Sequence, residues 1–300
     1  MAFILVTGAT GKQGGALIQK LIQKNAPFQI LAVTRNPQSA GAQKLLAQSD
    51  KIKLVQGDMD RPSELFKNAQ AKTNDPIWGV FSVQVVMGQK VPEDVQGKNL
   101  VDEALKHGVK HFVYASVDRH GAQSIENPTN IPHFEHKHTI EKHLMEKTRH
   151  GQMDWTILRP TAFYDNLTPD FMGRVFATAF KNSLQGKPLQ MVGCSDIGTI
   201  GAEIFMNAEE YKSQAISLAG DELTFDQFAQ IFKDQTGKTI PTTFGFVVSG
   251  IMTLVKDFGY MFQWFHDVGF AADIQEVKKI HPGLKDFATW LKTESQFGTK

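Results

Sequence analysis

Apolar and polar positions alternate along the first half of the chain in blocks that predict strands followed by helices. Continuous apolar runs predict buried parallel strands, because a strand covered on both faces has no polar side. These runs lie at Phe3 to Thr7, Gln29 to Thr34, Ile52 to Gln56, Ile77 to Val83, His111 to Ser116 and Trp155 to Arg159. Amphipathic segments between them predict helices, notably Gly14 to Lys24, Gln96 to His107 and Phe134 to His150. The pattern is typical of an α/β protein with a Rossmann-type, doubly wound parallel sheet.

The regular alternation ends after Pro160, and the rest of the chain favours helices. We therefore predict a nucleotide-binding domain over residues 1–160 and a smaller, mainly helical lobe over residues 161–300. Ala215 to Ala219 predicts a strand that returns to the first domain. Thr224 and Gln227 have capping-box spacing, which predicts a helix that runs to about Thr236. The segment 244–270 is rich in Phe, Met and Trp, and these side chains either form a core or line a cleft.

A glycine-rich turn follows the first predicted strand and opens the first predicted helix. Its sequence is Gly8-Ala9-Thr10-Gly11-Lys12-Gln13-Gly14. Glycines at such a turn allow a tight bend, a close approach of backbone N–H groups to a pyrophosphate, and close packing of helix on strand. The phosphates would then lie at the positive end of the helix. We predict a dinucleotide site here, and a glycine turn without a ligand is the alternative.

The end of the second predicted strand indicates which dinucleotide binds. In NAD-specific folds an acidic residue about 20 residues beyond the glycines holds the ribose hydroxyls. Here that position falls on Thr34 and Arg35, and no acidic residue occurs from Ala2 to Ser49. A guanidinium can make a forked, charged contact with a 2′-phosphate. The sequence therefore predicts NADP(H), unless Arg35 is only a solvated loop cation.

Composition narrows the choice of partner and compartment. The 300 residues carry a formal net charge of +1, so no overall field attracts nucleic acid or an anionic membrane. The single cysteine, Cys194, excludes an internal disulfide and is expected to be a buried, unreactive thiol. No signal peptide or membrane span is expected. A cytoplasmic location is predicted, with the nucleus as an alternative.

Residues at the carboxyl ends of the predicted strands are expected to face the cofactor, because open α/β sheets bind ligands at that edge. Asp58 has two interpretations: it accepts from the adenine amino group, or it caps the helix that starts near Pro62. The other candidates at these strand ends are Met59, Ser82, Val83, Gln84, Ser116, Pro160 and Phe163.

His133 and Lys137 are four residues apart on a predicted helix and share one face. Classical short-chain dehydrogenases place Tyr-x-x-x-Lys at this turn, where the lysine holds the nicotinamide ribose and the tyrosine transfers a proton. Histidine can carry out acid and base chemistry near neutral pH. Either the pair is catalytic, or His133 only packs while Lys137 holds ribose. The histidines of this segment have no metal-ligand spacing, so no metal site is predicted.

Together these motifs resemble those of the NmrA-like family of atypical short-chain dehydrogenase/reductases, especially its fungal members. The resemblance spans nearly the whole chain. It rests on VTGATGKQGG at Val6 to Gly15, VTRNP at Val33 to Pro37, QGDMD at Gln56 to Asp60, GVFSVQ at Gly79 to Gln84, HFVYASVDR at His111 to Arg119, IPHFEHK at Ile131 to Lys137, LRPTAFYDN at Leu158 to Asn166, LAGDELT at Leu218 to Thr224 and WFHDVGFAADI at Trp264 to Ile274.

The resemblance implies a Rossmann domain that binds NADP(H) or NAD(P), and a small C-terminal lobe that forms a cleft. It assigns the pyrophosphate to Gly8, Thr10, Gly11, Gln13 and Gly14 in the glycine turn that also holds Lys12. The same likeness gives Arg35 the adenosine phosphate and Lys137 the nicotinamide ribose. Phe163, Asn166 and Trp264 are expected to line the cleft.

Members of the family that the chain resembles are of two kinds. Some look like cofactor-sensing regulators of a protein partner, such as a transcription factor, and lack the catalytic tyrosine. Others are NADPH-dependent reductases of quinones, ketones or enones. The His-Phe-x-x-Lys sequence at His133 to Lys137 is similar to the sensor branch. A redox-state sensor is therefore the leading interpretation, and a reductase of a small apolar carbonyl or quinone is the alternative.

Overall fold

The computed structural model describes residues 2–84 and 90–298. The strands are β1 (Ala2–Val6), β2 (Phe28–Thr34), β3 (Ile52–Gln56), β4 (Ile77–Ser82), β5 (His111–Ala115), β6 (Asp154–Pro160), β7 (Ala162–Phe163), β8 (Leu189–Val192), β9 (Gln214–Leu218) and β10 (Asp221–Leu223). The helices are α1 (Lys12–Gln23), α2 (Ala40–Leu46), α3 (Pro62–Gln70), α4 (Glu93–Lys106), α5 (Pro132–Lys147), α6 (Phe171–Leu184), α7 (Cys194–Met206), α8 (Ala208–Tyr211), α9 (Phe225–Thr236), α10 (Gly245–Leu254), α11 (Lys256–Asp267), α12 (Ile274–Ile280) and α13 (Phe287–Thr293). Short 3₁₀ turns cover Gly121–Ile125 and Tyr164–Asn166.

A seven-stranded sheet has the order β3-β2-β1-β4-β5-β6-β9. The pairings among β1 to β6 are parallel. The order reverses beside β1, which is the point where doubly wound sheets bind ligands. The Rossmann-type fold class is confirmed, and the six predicted strands end within one residue of the observed bounds.

Strand β1 illustrates how an apolar run forms a strand that is buried between two neighbouring strands. Ile4, Leu5 and Val6 are fully buried, and β1 pairs with β2 on one side and β4 on the other. The return strand predicted near residue 215 is present as β9 at the end of the sheet. The capping box is also present: the Thr224 hydroxyl accepts from the Gln227 backbone N–H, and α9 ends at Thr236.

Sequence reasoning missed a second sheet in the later part of the chain. It has three strands in the order β10-β8-β7, with β8 antiparallel to β10 and parallel to β7. Its strands have two to four residues, which is too short for a period-2 pattern to be distinguished from helix or loop.

The chain forms two compact units, each built from separate segments. The first unit consists of residues 1–116, 136–159 and 197–216, and the second of residues 117–135, 160–196 and 217–300. The core of the first unit includes Leu5, Val80 and Phe112, and that of the second includes Phe180, Phe228 and Phe287. The functional division predicted after residue 160 stays a prediction.

The aromatic segment in the second unit is only partly core. Phe262, Trp264 and Phe265 of α11 are buried, whereas Phe246 of α10 is 76% exposed and Leu254 is 86% exposed. Over the described residues, no helix alone has the length and apolar character to cross a bilayer. The pair α10 and α11, bent by 113°, meets those criteria together by length and composition.

Candidate functional site

The glycine turn between β1 and α1 has the backbone geometry of a phosphate cradle. Gly8 has a φ of +58°, and a Cβ there would lie 2.7 Å from Val83 Cγ1. A Cβ on Gly14 would lie 2.5 Å from the Gly8 carbonyl oxygen. The Thr7 hydroxyl accepts from the Val83 backbone N–H at 2.8 Å, which holds the ends of β1 and β4 together. The turn is therefore both tight and fixed to the sheet.

Helix α1 begins without a capping hydrogen bond from the side chain of its N-cap residue. Gly11 is the N-cap residue and supplies no side-chain hydrogen bond, so backbone N–H groups at the positive end of the helix remain available to an anion. The buried Oε1 atom of Gln13 has no partner among the described residues. Lys12 begins the helix and is exposed. These features fit a dinucleotide pyrophosphate.

A cleft of about 830 Å³ extends from the glycine turn to the end of β2 in the first unit. It brings together six of the predicted cofactor residues: Gly8, Thr10, Gly11, Arg35, Asp58 and Met59. Its other lining residues, which sequence reasoning missed, include Asn36, Ser39, Asp60, Arg61, Lys90 and Gln96. The cleft therefore places Arg35 in one cavity with the phosphate cradle, as an adenosine phosphate would require.

Charges in this cleft are mixed. Arg35 and Lys90 are exposed cations, and Arg61 forms an ion pair with Glu64 at 2.9 Å. Asp60 is bound by the Lys90 backbone N–H and the Gln96 side-chain amide. The Asp60 carboxylate is therefore engaged by donors of the protein itself.

Asp58 does not cap α3, so that alternative was wrong. The N-cap residue of α3 is Arg61, which makes no side-chain cap. The Asp58 carboxylate instead accepts from the Asp60 backbone N–H at 3.1 Å. Asp58 faces the cleft, where its role at the adenine stays a prediction.

Other predicted cofactor residues do not belong to the lining of this cleft. Ser82 is fully buried, and its hydroxyl accepts from the Gln84 amide at 2.8 Å. The Oε1 atom of Gln84 is buried without a partner among the described residues. Pro160 is the last residue of β6. The residues Val83, Gln84, Gly14 and Pro160 stay predictions as cofactor ligands.

Lys137 forms a buried ion pair that sequence reasoning missed. Its Nζ donates to Glu93 Oε1 at 2.7 Å, and the two side chains are 10% and 2% exposed. Glu93 lies in the first turn of α4, which begins three residues before the predicted start. No local pattern could reveal the pair, since its members are far apart in sequence.

Ser116, another predicted cofactor residue, is also held by a carboxylate. Its hydroxyl donates to Glu141, and Arg159 donates to the same carboxylate at 3.1 and 2.7 Å. Arg159 and Glu141 are both buried, so each charge is compensated. Glu141 lies one turn beyond Lys137 on α5.

His133 has a carboxylate partner of its own within the second unit. Its Nδ1 lies 2.6 Å from Asp257 Oδ2, and the His133 backbone N–H also points to that carboxylate at 3.4 Å. A carboxylate only accepts, so Nδ1 carries the hydrogen and Nε2 is the nitrogen left for another partner. Asp257 lies in the first turn of α11, far from His133 in sequence, and no motif identified it.

The predicted cleft residues of the second unit have different surroundings. Trp264 is buried and packs edge-on against Phe134 and Phe270, at centroid distances of 5.6 and 5.4 Å. Phe163 is half-buried in β7, and Asn166 is exposed at the end of a 3₁₀ turn. Their role at a substrate stays a prediction.

Two further findings concern metal and thiol chemistry. Within residues 2–84 and 90–298, no three His, Cys, Asp or Glu side chains are grouped to hold a metal ion. Cys194 is a buried free thiol at the start of α7, and its backbone N–H donates to Asp165 at 2.9 Å.

A sequence model of the NmrA-like family matches residues 2–291. The chain is similar to the NmrA-like family domain-containing oxidoreductase FrzB of Cladobotryum sp., with 27% identity over 90% of this chain and 85% of that protein. The fold is similar to that of Nmra, a negative transcriptional regulator in complex with NAD, with a TM-score of 0.71, 17% identity, and coverage of 98% of this chain and 95% of that one. It is also similar to the NADPH complex of the quinone oxidoreductase QOR2 of Escherichia coli, with a TM-score of 0.69, 22% identity, and coverage of 95% and 97%.

Proposed function

Because the chain belongs to the NmrA-like family, we propose that it binds NADP(H) at the glycine turn and reads the redox state of that cofactor for a protein partner. The observation that carries cofactor binding is the cleft that joins the uncapped start of α1 to Arg35. The Arg35 guanidinium is exposed, and the sequence has no acidic residue before Asp50. Both features suit a 2′-phosphate at the end of β2. The pyrophosphate would lie on the N–H groups of α1.

A sensor role is supported by the residues expected at the nicotinamide end. Histidine replaces the proton-donating tyrosine, and Lys137 and Ser116 are both engaged by buried carboxylates. A lysine compensated in this way can hold a ribose hydroxyl but has little net charge with which to activate a proton donor. The partner would be a protein such as a transcription factor, with no direct contact to nucleic acid.

Calorimetry with NADPH, NADP⁺, NADH and NAD⁺ tests cofactor binding directly. We expect micromolar or tighter binding of at least one NADP form. Gly11→Val would place a branched side chain against the phosphates and should abolish binding while circular dichroism stays unchanged. A folded Gly11→Val variant that still binds NADPH would mean that the cradle has been misplaced.

A reductase is the second candidate, and the pair of His133 and Asp257 favours it. Bound NADPH supplies a hydride in such reactions, and the carbonyl or quinone oxygen then needs a proton. Asp257 holds the Nδ1–H of His133, so when the imidazole is doubly protonated its second proton is on Nε2, from which it would be transferred to that oxygen. Curated relatives such as FrzB bear the name oxidoreductase, which also supports this candidate.

Turnover separates the two candidates. For a sensor, NADPH oxidation with a panel of quinones, ketones and enones should not exceed the rate without protein. For a reductase that uses His133, one panel member should be reduced, and His133→Phe should lower the rate by about a hundredfold or more. Turnover unaffected by His133→Phe would indicate that the proton comes from water or substrate.

A further inference from the structure

The ion pair of Glu93 and Lys137 lies at the edge of the sheet where a dinucleotide would bind. Glu93 is in the first turn of α4, which follows β4, and Lys137 is in the second turn of α5, which follows β5. Strands β4 and β5 are neighbours on the side of β1 opposite Arg35 and β2. Since the adenosine half lies over β2, the nicotinamide half of a dinucleotide is expected over β4 and β5.

The pair is held firmly from both helices. Helices α4 and α5 approach closely at Gly97, where a Cβ would lie 2.4 Å from Ile140 Cδ1. Gln96 lies near the start of α4, and its side-chain amide donates a hydrogen bond to the Asp60 carboxylate in the cleft. An acidic side chain in the first turn is also favoured by the helix dipole. Glu93 is therefore fixed opposite the Lys137 ammonium.

Neighbouring charges around the pair are compensated as well. Lys98 pairs with Asp94 at 2.8 Å on α4, and Arg159 pairs with Glu141 beside α5. Partial burial opposes ionisation of Asp94, but the hydrogen bond and charge of Lys98 hold its pKa below the usual value. The electrostatic potential at a nicotinamide ring bound here therefore depends strongly on whether Lys137 keeps its ion pair with Glu93.

We propose that Glu93 sets the relative affinity of the site for NADP⁺ and NADPH. This rests on the proposed function, in which Lys137 holds the nicotinamide ribose. The oxidised nicotinamide ring carries a positive charge and the reduced ring is neutral. A buried, uncompensated ammonium beside the ring disfavours the oxidised form, and the Glu93 carboxylate cancels that effect. Glu93 determines which oxidation state of the cofactor binds more tightly. It acts through Lys137 and does not contact the cofactor itself.

The test measures the ratio of the dissociation constants for NADP⁺ and NADPH by calorimetry in four proteins. Two unit charges about 8 Å apart at an effective dielectric constant of about 20 change a binding constant by roughly tenfold or more. Glu93→Gln leaves a cation and should raise the ratio by about tenfold. Lys137→Met leaves an anion and should lower it by about tenfold. The double variant is neutral again and should return to within about threefold of the native ratio.

Asp94→Asn is the matched control, because it breaks an ion pair one residue away that is more exposed to solvent. It should change the ratio by less than about twofold. A buried lysine without its partner can lose its proton. The measurements are therefore made at pH 6 and pH 8, and the Glu93→Gln effect should be at least as large at pH 6.

The outcomes distinguish this inference from the function on which it rests. Native protein that binds neither NADP⁺ nor NADPH overturns the proposed function itself. Native protein that binds both, with single variants that weaken both equally and keep the ratio constant at both pH values, means that the pair is only structural and overturns the inference. A tenfold change in ratio corresponds to about 30 mV in the midpoint potential of the bound two-electron couple.

Discussion

Arg35 is the residue on which we propose that the choice between NADP(H) and NAD(H) depends. It is exposed at the end of β2 and lines the cleft. A hydrogen bond to a charged group contributes about 1.5 to 3 kcal/mol. The native protein should therefore bind NADPH roughly tenfold to a hundredfold more tightly than NADH. Arg35→Ala should remove most of this difference and leave the affinity for NADH unchanged, as calorimetry can measure.

Lys44→Ala is a suitable control for Arg35→Ala, because Lys44 is an exposed cation of α2 that does not line the cleft. It removes the same charge from the same region. We expect its NADPH to NADH preference to equal that of the native protein. Equal affinities for the two cofactors in the native protein would refute the assignment of Arg35.

His111 is a buried histidine whose neutral form stabilises the first unit. Its Nε2 lies 2.9 Å from the Thr156 hydroxyl, which donates its own hydrogen to the Tyr211 carbonyl at 2.8 Å. Nε2 of His111 is therefore the donor of this bond. Its ring also stacks on Trp78 at 6.2 Å. Burial lowers the pKa of His111 to about 4, against nearby carboxylates that act in the opposite direction.

This pKa makes the stability of the protein depend on pH with a definite sign. The unfolded chain takes up a proton on His111 below pH 6.5, whereas the folded protein does so only near pH 4. Stability should therefore fall as pH falls through this window, by about 1.4 kcal/mol per unit from this group. Urea denaturation should show a shallower decline between pH 6.5 and pH 5 for His111→Gln. An equal decline in both proteins would contradict the pKa assignment.

At the scale of elements, α4 packs closely on α5 at Gly97 and Ile140, and we expect this contact to affect both the stability of the fold and the proposed cofactor site. Gly97→Ala would put a methyl group against Ile140 Cδ1 and Cγ1, which are buried and cannot move freely. Overpacking of this kind costs about 1 to 3 kcal/mol. We expect a lower free energy of unfolding and weaker NADPH binding, since the first turn of α4 carries both Glu93 and Gln96.

Gly41→Ala is the matched control for Gly97→Ala, because Gly41 lies in α2 and a Cβ there would meet nothing within 4 Å. An alanine at an open helix position should stabilise the protein by about 0.5 to 1 kcal/mol. Urea denaturation of both variants measures the contrast. Two substitutions with equal effects would show that helix propensity, and not the contact with Ile140, decides the outcome.

Elements were predictable from sequence where periodicity is local and long enough to read. The bounds of β3 were predicted without error because the apolar run Ile52 to Gln56 stands between polar turns. The start of α4 was placed too late because Glu93 and Asp94 are polar and carry no apolar periodicity. The same polarity hid the ion pair with Lys137. Asp257 was missed because its partner His133 lies on another element, and no local pattern records such a contact.

At the scale of the whole molecule, the first unit depends on a late segment of the chain. Phe205 of α7 is buried, and its ring lies edge-on to Phe28, Trp78 and His111 at 6.4, 6.3 and 6.2 Å. The edge strand β9 comes from the same late segment. A sequence-based domain boundary at residue 160 could not foresee this, because the pattern of α7 does not indicate which unit it covers.

A fragment of residues 1–160 should therefore not fold into a stable unit. It lacks Phe205 and leaves the aromatic side chains that surround it open to water. Removal of a buried phenylalanine alone costs about 3 to 5 kcal/mol, and the fragment loses the whole helix. We expect no cooperative urea transition and no NADPH binding, while the full chain shows both. A sharp transition in the fragment would contradict this prediction.

The segments of the two units alternate along the chain, so neither unit is complete until late in translation. A ribosome that adds about 5 to 20 residues per second needs several seconds to pass from residue 116 to residue 216, where the first unit becomes complete. During that interval the nascent chain presents unfinished apolar surface near Trp78 and His111. We expect the emerging polypeptide to bind chaperones during this interval, and slow translation between these positions to prolong its exposure to aggregation.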